Sequence, residues 1–138
     1  MESNAGSTLL PIIKIINNTR TELANIVLSY EGLDDSSIKI NTLNSNSEII
    51  TTISTAFVKD NVNLILSYDH ENIHEEKIVY HNFIADSLIK LTFEINDVNG
   101  EHNIVTIIEK DPVDNFSGIK LHIYDNPVYD QKNRYCIN

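Results

Sequence analysis

The sequence has few of the residues on which several protein classes depend. Among its 138 residues are one cysteine, no tryptophan, four glycines and three prolines. The single cysteine, Cys136, cannot form an internal disulfide, which excludes a disulfide-stabilised scaffold. Four scattered glycines form no glycine-rich phosphate-binding loop, so P-loop and dinucleotide-binding motifs are excluded as well. No G-x-S-x-G motif of the kind that anchors a hydrolase triad occurs either.

Long apolar runs are also absent. The start at Met1 lacks the basic segment of an export signal, and the first apolar stretch is interrupted by Pro11 and Lys14. No run approaches the roughly 18 apolar residues of a membrane-spanning helix. We therefore expect a cytoplasmic protein, or a mature secreted form whose leader is absent from this sequence.

Basic residues are scarce relative to acidic ones. Ten Lys and Arg against twenty Asp and Glu give a formal net charge of −10. Affinity for phosphate backbones and anionic membranes comes from Lys and Arg that displace counterions. The charge thus argues against nucleic acid and membrane surfaces as partners. It favours a basic protein partner, and a homo-oligomer stays open.

What the sequence has in abundance is β-branched apolar side chains. Isoleucine alone occurs 22 times, and apolar residues make up 41% of the chain. A chain of this length is one domain that can bury a core of its own. β-Branched side chains lose rotamer freedom in a helix and fit a pleated surface, so the composition favours strands.

Strict alternation of apolar and polar residues indicates where the strands lie. In Leu88–Asn96 the residues Ile89, Leu91, Phe93 and Ile95 are predicted to face the core, with Lys90 and Glu94 facing solvent. In the same way Ile49, Ile53 and Phe57 are predicted to face inward. The remaining candidate strands are Ile12–Ile16, Leu23–Tyr30, Ile38–Leu43, Val62–Tyr68, Lys77–Phe83, His102–Glu109 and Ile119–Tyr124. Asn99-Gly100 is typical of a two-residue hairpin turn, because both turn positions need a positive φ.

This pattern predicts an all-β fold, an antiparallel β-sandwich (Ig-like or C2-like) of about eight to nine strands with little or no helix. We expect a flexible N-terminal segment at 1–11 and the sandwich domain at 12–125. A C-terminal tail at 126–138 is expected to dock on the sandwich. The tyrosines Tyr124, Tyr129 and Tyr135 either contribute to that docking or form an interface.

One internal repeat is visible. Residues 25–31 (NIVLSYE) recur as residues 63–69 (NLILSYD). Alternate residues of both copies, Ile26, Leu28 and Tyr30 in the first and Leu64, Leu66 and Tyr68 in the second, are predicted to line one face. Equivalent strands in the two sheets would explain the repeat, as would chance in a chain rich in Ile and Asn.

The one motif that suggests chemistry is His70-Glu71-Asn72-Ile73-His74, an H-E-x-x-H sequence. In zinc hydrolases a helix places both histidines on one face, with the glutamate as general base. Here the preceding Val62–Tyr68 alternates as a strand and the following Lys77–Tyr80 is poor for a helix. We therefore expect a hairpin loop over 69–77, no catalytic or metal-binding residues and no cofactor. A weak transition-metal site at His70, His74 and His81 is an alternative.

The acidic stretch Asn96–Glu101 carries the oxygen ligands that Ca²⁺ prefers. It lacks the later glutamate and the flanking helices of an EF-hand loop. Asp and Asn also serve as ordinary turn formers, which favours a turn without an ion.

The opening Ile15-Ile16-Asn17-Asn18-Thr19, followed by a strand, is similar to the start of small membrane-binding β-sandwich toxins such as aegerolysins and actinoporins. The resemblance implies a membrane-active sandwich. Those families use clusters of Trp and Tyr at the lipid interface, and this sequence has no Trp. None of their residues is carried over.

The sequence thus favours a non-enzymatic binding or interaction module, such as an acidic partner or inhibitor of another protein. This conclusion follows from the absence of catalytic motifs on a fold that hosts many binding functions. The alternatives are a metal-dependent hydrolase that uses residues 70–74 and a membrane- or glycan-binding sandwich.

Overall fold

The computed structural model describes residues 10–85, 88–110 and 121–125, the last range by its backbone alone. The described part of the chain is a β-sandwich with no α-helix and one short 3-10 turn at Asp34–Ser36. The strands are β1 (Ile12–Asn18), β2 (Leu23–Ser29), β3 (Ile38–Leu43), β4 (Ser47–Thr52), β5 (Asn61–His70), β6 (Ile73–Ile84), β7 (Ile89–Val98), β8 (Glu101–Lys110) and β9 (Leu121–Asp125). The predicted all-β sandwich of eight to nine strands is confirmed.

Two sheets form the sandwich. One has the strand order β4-β1-β7-β8-β9 and the other β3-β2-β5-β6. Every pairing is antiparallel except that of β1 with β7, which run parallel from Ile12 beside Lys90 to Asn18 beside Asn96. A parallel pair needs a long crossover, which here passes through the second sheet between the two strands.

The core lies between the sheets and is formed by the inward residues of both. Ile89, Leu91, Phe93 and Ile95 are all buried, as predicted. Lys90 and Glu94 are half-buried rather than exposed, because β7 is a central strand and the side chains of its neighbours cover part of its outer face.

The prediction that Phe57 faces the core is wrong. β4 ends at Thr52, and Ile53 is buried while its N–H donates to the carbonyl of Pro11 at 3.3 Å. The chain then turns, with the N–H of Val58 donating to the carbonyl of Thr55. Because the alternation stops at this turn, Phe57 is 46% exposed.

The repeated segments form neighbouring strands of one sheet. β2 and β5 pair antiparallel, with Leu28 opposite Leu66 and Val27 opposite Ser67. All six residues predicted to share a face are buried. The interpretation as equivalent strands in the two sheets is therefore wrong, while the predicted face is confirmed.

A buried asparagine secures the crossover from β1 to β2. Asn17 is fully buried, and its Nδ2 donates to the carbonyls of Thr21 and Leu43, both at 2.9 Å. Its Oδ1 accepts from the N–H of Thr19 at 2.9 Å and from the Thr19 hydroxyl at 2.6 Å. These bonds tie the end of β1 to the β1–β2 loop and to the end of β3 in the other sheet.

Some predictions concern residues outside those that the structure describes. The segment at 1–9, the tail at 126–138 and the side chains of Tyr124, Tyr129 and Tyr135 are among these. Within the described ranges, no helix has the length and apolar character needed to cross a membrane.

Candidate functional site between the two sheets

The H-E-x-x-H sequence lies at a tight β-hairpin. β5 ends at His70 and β6 begins at Ile73. Glu71 and Asn72 have φ of 48° and 67°, the positive values that a two-residue type I′ turn requires. The predicted absence of a helix is confirmed in this region. The predicted loop over 69–77 is wrong, because the left-handed backbone at Glu71 and Asn72 closes the hairpin in two residues.

The hairpin places the motif's two histidines on opposite faces of the sheet. His74 faces solvent, and its Nδ1 lies 2.6 Å from Oδ1 of Asp69, the residue opposite it on β5. This hydrogen bond raises the pKa of His74 above the usual value. His81 is also exposed, with its Nδ1 3.2 Å from Oδ1 of Asn63. The alternative metal site at His70, His74 and His81 is therefore not assembled.

His70 instead faces the second sheet and meets a histidine that the sequence analysis did not single out. Its ring stacks on that of His102 with a centroid separation of 3.8 Å and an interplanar angle of 23°. His102 lies on β8, two residues after the Asn99-Gly100 turn. Both hairpin turns are thus at the same end of the sandwich, and the histidines bridge its two sheets there.

Both ring nitrogens of His102 face a polar group. Its Nδ1 lies 2.8 Å from the hydroxyl of Tyr68, and its Nε2 lies 3.3 Å from Oδ1 of Asp97. Burial raises the pKa of Tyr68, and the carboxylates of Glu75 and Asp97 raise it further. Tyr68 therefore stays protonated and donates to Nδ1. This assigns the Nε2–H tautomer to neutral His102, with Asp97 as the acceptor.

His70 is satisfied on one nitrogen only. Its Nε2 lies 3.1 Å from Oε2 of Glu75 on β6, so the proton of the neutral ring belongs on Nε2. Its Nδ1 is buried and has no hydrogen-bond partner among the described residues. The side chain as a whole is only 9% exposed. An unpaired lone pair in such a place is costly, since a buried polar group without a partner loses its hydration uncompensated.

The surroundings of the stacked rings change the pKa of His102. Burial lowers the pKa of His102, and the neighbouring His70 lowers it further, while Asp97 and Glu75 act in the opposite direction. Lys77 adds a positive charge at this end, where its ammonium donates to the carbonyl of His102 at 2.9 Å. His102 is therefore neutral at physiological pH.

The chemistry of this cluster is that of a metal ligand set. One ligand atom each from His70, Glu75 and His102 lie within 4.8 Å of one another. We name these three residues the inter-sheet cluster. Tyr68 beside this cluster is fully buried, so its hydroxyl is not in contact with solvent.

The sequence carried a signal for both histidines of the cluster. His70 continues the inward alternation of Leu66 and Tyr68, and His102 begins that of Ile104 and Ile108. If the alternation of buried and exposed residues on β5 and β8 is continued to the hairpin turn, both imidazole rings are placed on the inner faces of their sheets. Which residues meet across the sheets depends on the sandwich packing, and no periodicity reveals it.

The candidate calcium stretch Asn96–Glu101 is the β7–β8 hairpin. Asn99 and Gly100 have φ of 54° and 85°, which confirms the predicted turn. Oδ2 of Asp97 accepts from the N–H of Arg20 at 2.9 Å, and its Oδ1 contacts His102. The carboxylate of Asp97 is thus engaged with protein groups.

A second feature is the exposed edge of β6. In the described part of the chain β6 pairs with β5 alone and so borders the four-stranded sheet. The pairing is regular over Ile73–Ile78, where we define the β6 edge, and a bulge at Val79 ends it. His70 and Ile73 flank a two-residue turn and therefore form a hydrogen-bonded pair. Because the backbone N–H and C=O groups of successive residues point to opposite sides of a strand, those of His74, Glu76 and Ile78 point away from β5.

Comparisons with known proteins bear on the fold. No family model matches the chain, and no curated protein matches it. Among solved structures it is similar to an NMR structure of a protein from Eubacterium rectale. The TM-score is 0.50 at 16% identity, over 74% of this chain and 92% of that chain. At this identity the likeness shows the all-β sandwich fold alone.

Proposed function

We propose that this protein is a non-enzymatic binding domain that takes up an extended, basic segment of another protein along the β6 edge. The observation that carries the proposal is the outward backbone of His74, Glu76 and Ile78 on an edge strand. An extended peptide adds to such an edge through main-chain hydrogen bonds.

The side chains along the β6 edge suit a partner that contributes both apolar and basic groups. Ile78 is 43% exposed and Ile73 is 52% exposed. Between them lie Glu76 and His74, both exposed. Large apolar side chains on an unpaired edge are a liability unless a partner covers them.

The negative charge of the β5–β6 hairpin supports a basic segment as the partner. The β5–β6 hairpin carries four carboxylates and one ammonium over residues 61–84. The ammonium of Lys77 and the carboxylate of Glu75 face inward, toward His102 and His70. The acidic residues are Asp69, Glu71, Glu75 and Glu76. A segment with Lys or Arg at alternate positions would approach this edge with favourable electrostatics, and association would weaken as salt rises.

A second copy of this chain is a poorer occupant of the same edge. Two chains of charge −10 repel each other. An antiparallel pairing of two β6 edges would also place the exposed carboxylate of Glu76 from each copy on the same small surface. Another protein with the opposite charge avoids both costs.

The test uses the full chain and synthetic ten-residue peptides followed by NMR. One peptide alternates Lys with Val, a second alternates Glu with Val, and a third alternates Lys with Pro and so cannot pair as a strand. We expect the Lys-Val peptide to shift the amides of His74, Glu76 and Ile78. The Glu-Val and Lys-Pro peptides should leave them unchanged.

Two matched variants locate the binding edge. Ile78→Lys places a positive charge on β6, and Ile50→Lys makes the same change at a 57% exposed isoleucine on β4, at the border of the other sheet. We expect only Ile78→Lys to abolish binding of the Lys-Val peptide. Equal binding of the Glu-Val peptide, shifts confined to another strand, or self-association that Ile78→Lys removes would each refute the proposal.

A further inference from the structure

The inter-sheet cluster brings together the residue types that hold a borderline transition metal. Two imidazoles and one carboxylate, with a fourth position left for water or another side chain, form a common ligand set for Zn²⁺. Hard cations such as Ca²⁺ and Mg²⁺ prefer oxygen ligands alone. The donor set of His70, Glu75 and His102 therefore selects Zn²⁺ or a similar ion over the hard cations.

The hydrogen bonding of His70 permits a change of tautomer at this place. Nδ1 of His70 is buried without a hydrogen-bond partner among the described residues. Nε2 of the same ring lies 3.1 Å from Oε2 of Glu75. An ion held by both residues would take the place of the proton between them, and that proton would move to Nδ1. A neutral imidazole with a free lone pair is the form that binds metals.

The surroundings of the cluster match those of known metal sites. Ligating histidines usually make a second hydrogen bond to a carboxylate, a carbonyl or another polar group, which fixes the ring orientation. Each ring nitrogen of His102 has one such partner, Tyr68 at Nδ1 and Asp97 at Nε2. The nitrogen that ligates an ion gives up its partner, and the other nitrogen keeps its own. The carboxylates of Glu75 and Asp97 also supply two negative charges, which would balance a divalent cation.

We propose that His70, Glu75 and His102 bind one Zn²⁺ ion between the two sheets. Ligand atoms around a tetrahedral Zn²⁺ lie about 3.3 Å apart at bond lengths of about 2.0–2.1 Å. The atoms of the cluster are within 4.8 Å of one another, so rotation of the side chains brings them to that spacing. The stack of His70 on His102 opens in the process.

The role of this ion is structural. His70 and Glu75 belong to the β5–β6 hairpin of one sheet, and His102 belongs to β8 of the other. An ion held by all three joins the sheets at the end where both hairpins turn. Binding to the folded chain alone raises the stability of the fold by mass action. The sequence analysis combined His70 with His74 and His81, which lie on the exposed face, and did not combine it with Glu75 or His102.

The test is titration of the chelator-treated full chain with Zn²⁺ at pH 7.5, by calorimetry and thermal melting. We expect saturation at one ion per chain, with a higher melting temperature that Ca²⁺ and Mg²⁺ do not reproduce. Glu75→Gln and His102→Asn should each weaken binding at least tenfold. His74→Asn, on the same hairpin but facing solvent, should leave binding unchanged.

Wild-type protein provides a readout that does not depend on the folding of variants. Two-bond ¹H–¹⁵N spectra report the state of all five histidines. On Zn²⁺ addition we expect His70 and His102 alone to show the shifts of ligated imidazole. Absence of saturable binding, ligation of His74 or His81, or full affinity in His102→Asn would overturn the proposal.

Discussion

The imidazole rings of His70 and His102 stack at 3.8 Å although they belong to different sheets. The groups that face His102 are titratable or charged on every side, from β5, β6 and β7. They are Tyr68, His70, Glu75, Lys77 and Asp97. Protonation of His102 would place a cation in this buried contact, beside the ring of His70 and the ammonium of Lys77.

The contribution of His102 to the stability of the protein should decrease as the pH falls through the range of histidine titration. The pKa of His102 is lowered in the fold, whereas an unfolded histidine titrates near about 6.5. Between these two values the unfolded chain binds more protons, so the free energy of unfolding decreases as the pH falls. The stability that depends on neutral His102 is fully present above about pH 6.5 and is fully lost below the pKa of His102 in the folded protein.

Urea denaturation between about pH 5.5 and 8 in the presence of a chelator measures this slope. We expect His102→Asn to flatten it, while His81→Asn, on the exposed face, leaves it as in the wild type. An unchanged slope in His102→Asn would show that other groups set the pH dependence.

The core of the five-stranded sheet should depend strongly on Phe93. This side chain is fully buried, so Phe93→Ala is expected to cost about 3–5 kcal/mol through lost burial and a residual cavity. Phe57→Ala makes the same change at a 46% exposed ring and should cost under about 1 kcal/mol. Chemical denaturation of both variants tests this, and similar losses would mean that the assignment of buried and exposed faces is wrong.

Sequence patterns predicted the fold well where the alternation is regular. β7 shows this best, since four apolar residues at a spacing of two are all buried. β6 shows where the pattern fails. Lys77 faces inward and Ile78 outward, the reverse of what hydrophobicity suggests. The reason is that β6 borders its sheet, where an inward ammonium still reaches a carbonyl of the other sheet.

The candidate site was harder to predict because it depends on contacts between the sheets. Each histidine could be placed on an inner face from its own strand. The stack of His70 on His102 depends instead on how two hairpins from different sheets meet. The parallel pairing of β1 with β7 escaped prediction for the same reason, since alternation reports a strand's faces and not its neighbours.

Asn17 should be essential for stability, although its neighbour Asn18 should not be. Asn17→Ala removes four hydrogen bonds and leaves the carbonyl of Leu43 without its buried donor. We expect a cost of about 2–4 kcal/mol, from the penalty of buried polar groups that lose their partners. Asn18→Ala removes one exposed bond to Asn96 and should cost under about 0.5 kcal/mol. Equal effects of the two changes on the denaturation midpoint would contradict the anchoring role of Asn17.

The turn of the β5–β6 hairpin should be open to stabilisation. Glu71 has a φ of 48°, and a left-handed backbone costs most residues about 1–2 kcal/mol. Asparagine tolerates this conformation better and is favoured at this position of a type I′ turn. Glu71→Asn is therefore expected to raise the free energy of unfolding by about 0.5–1 kcal/mol.

The change at Glu71 also removes one negative charge from an acidic chain, which by itself reduces repulsion. Glu76→Asn separates the two effects, because it removes a charge from the same hairpin at a position in β6 with ordinary strand geometry. If backbone strain is the cause, Glu71→Asn raises the urea midpoint and Glu76→Asn does not. A similar rise in both variants, disappearing at high salt, would assign the gain to charge alone.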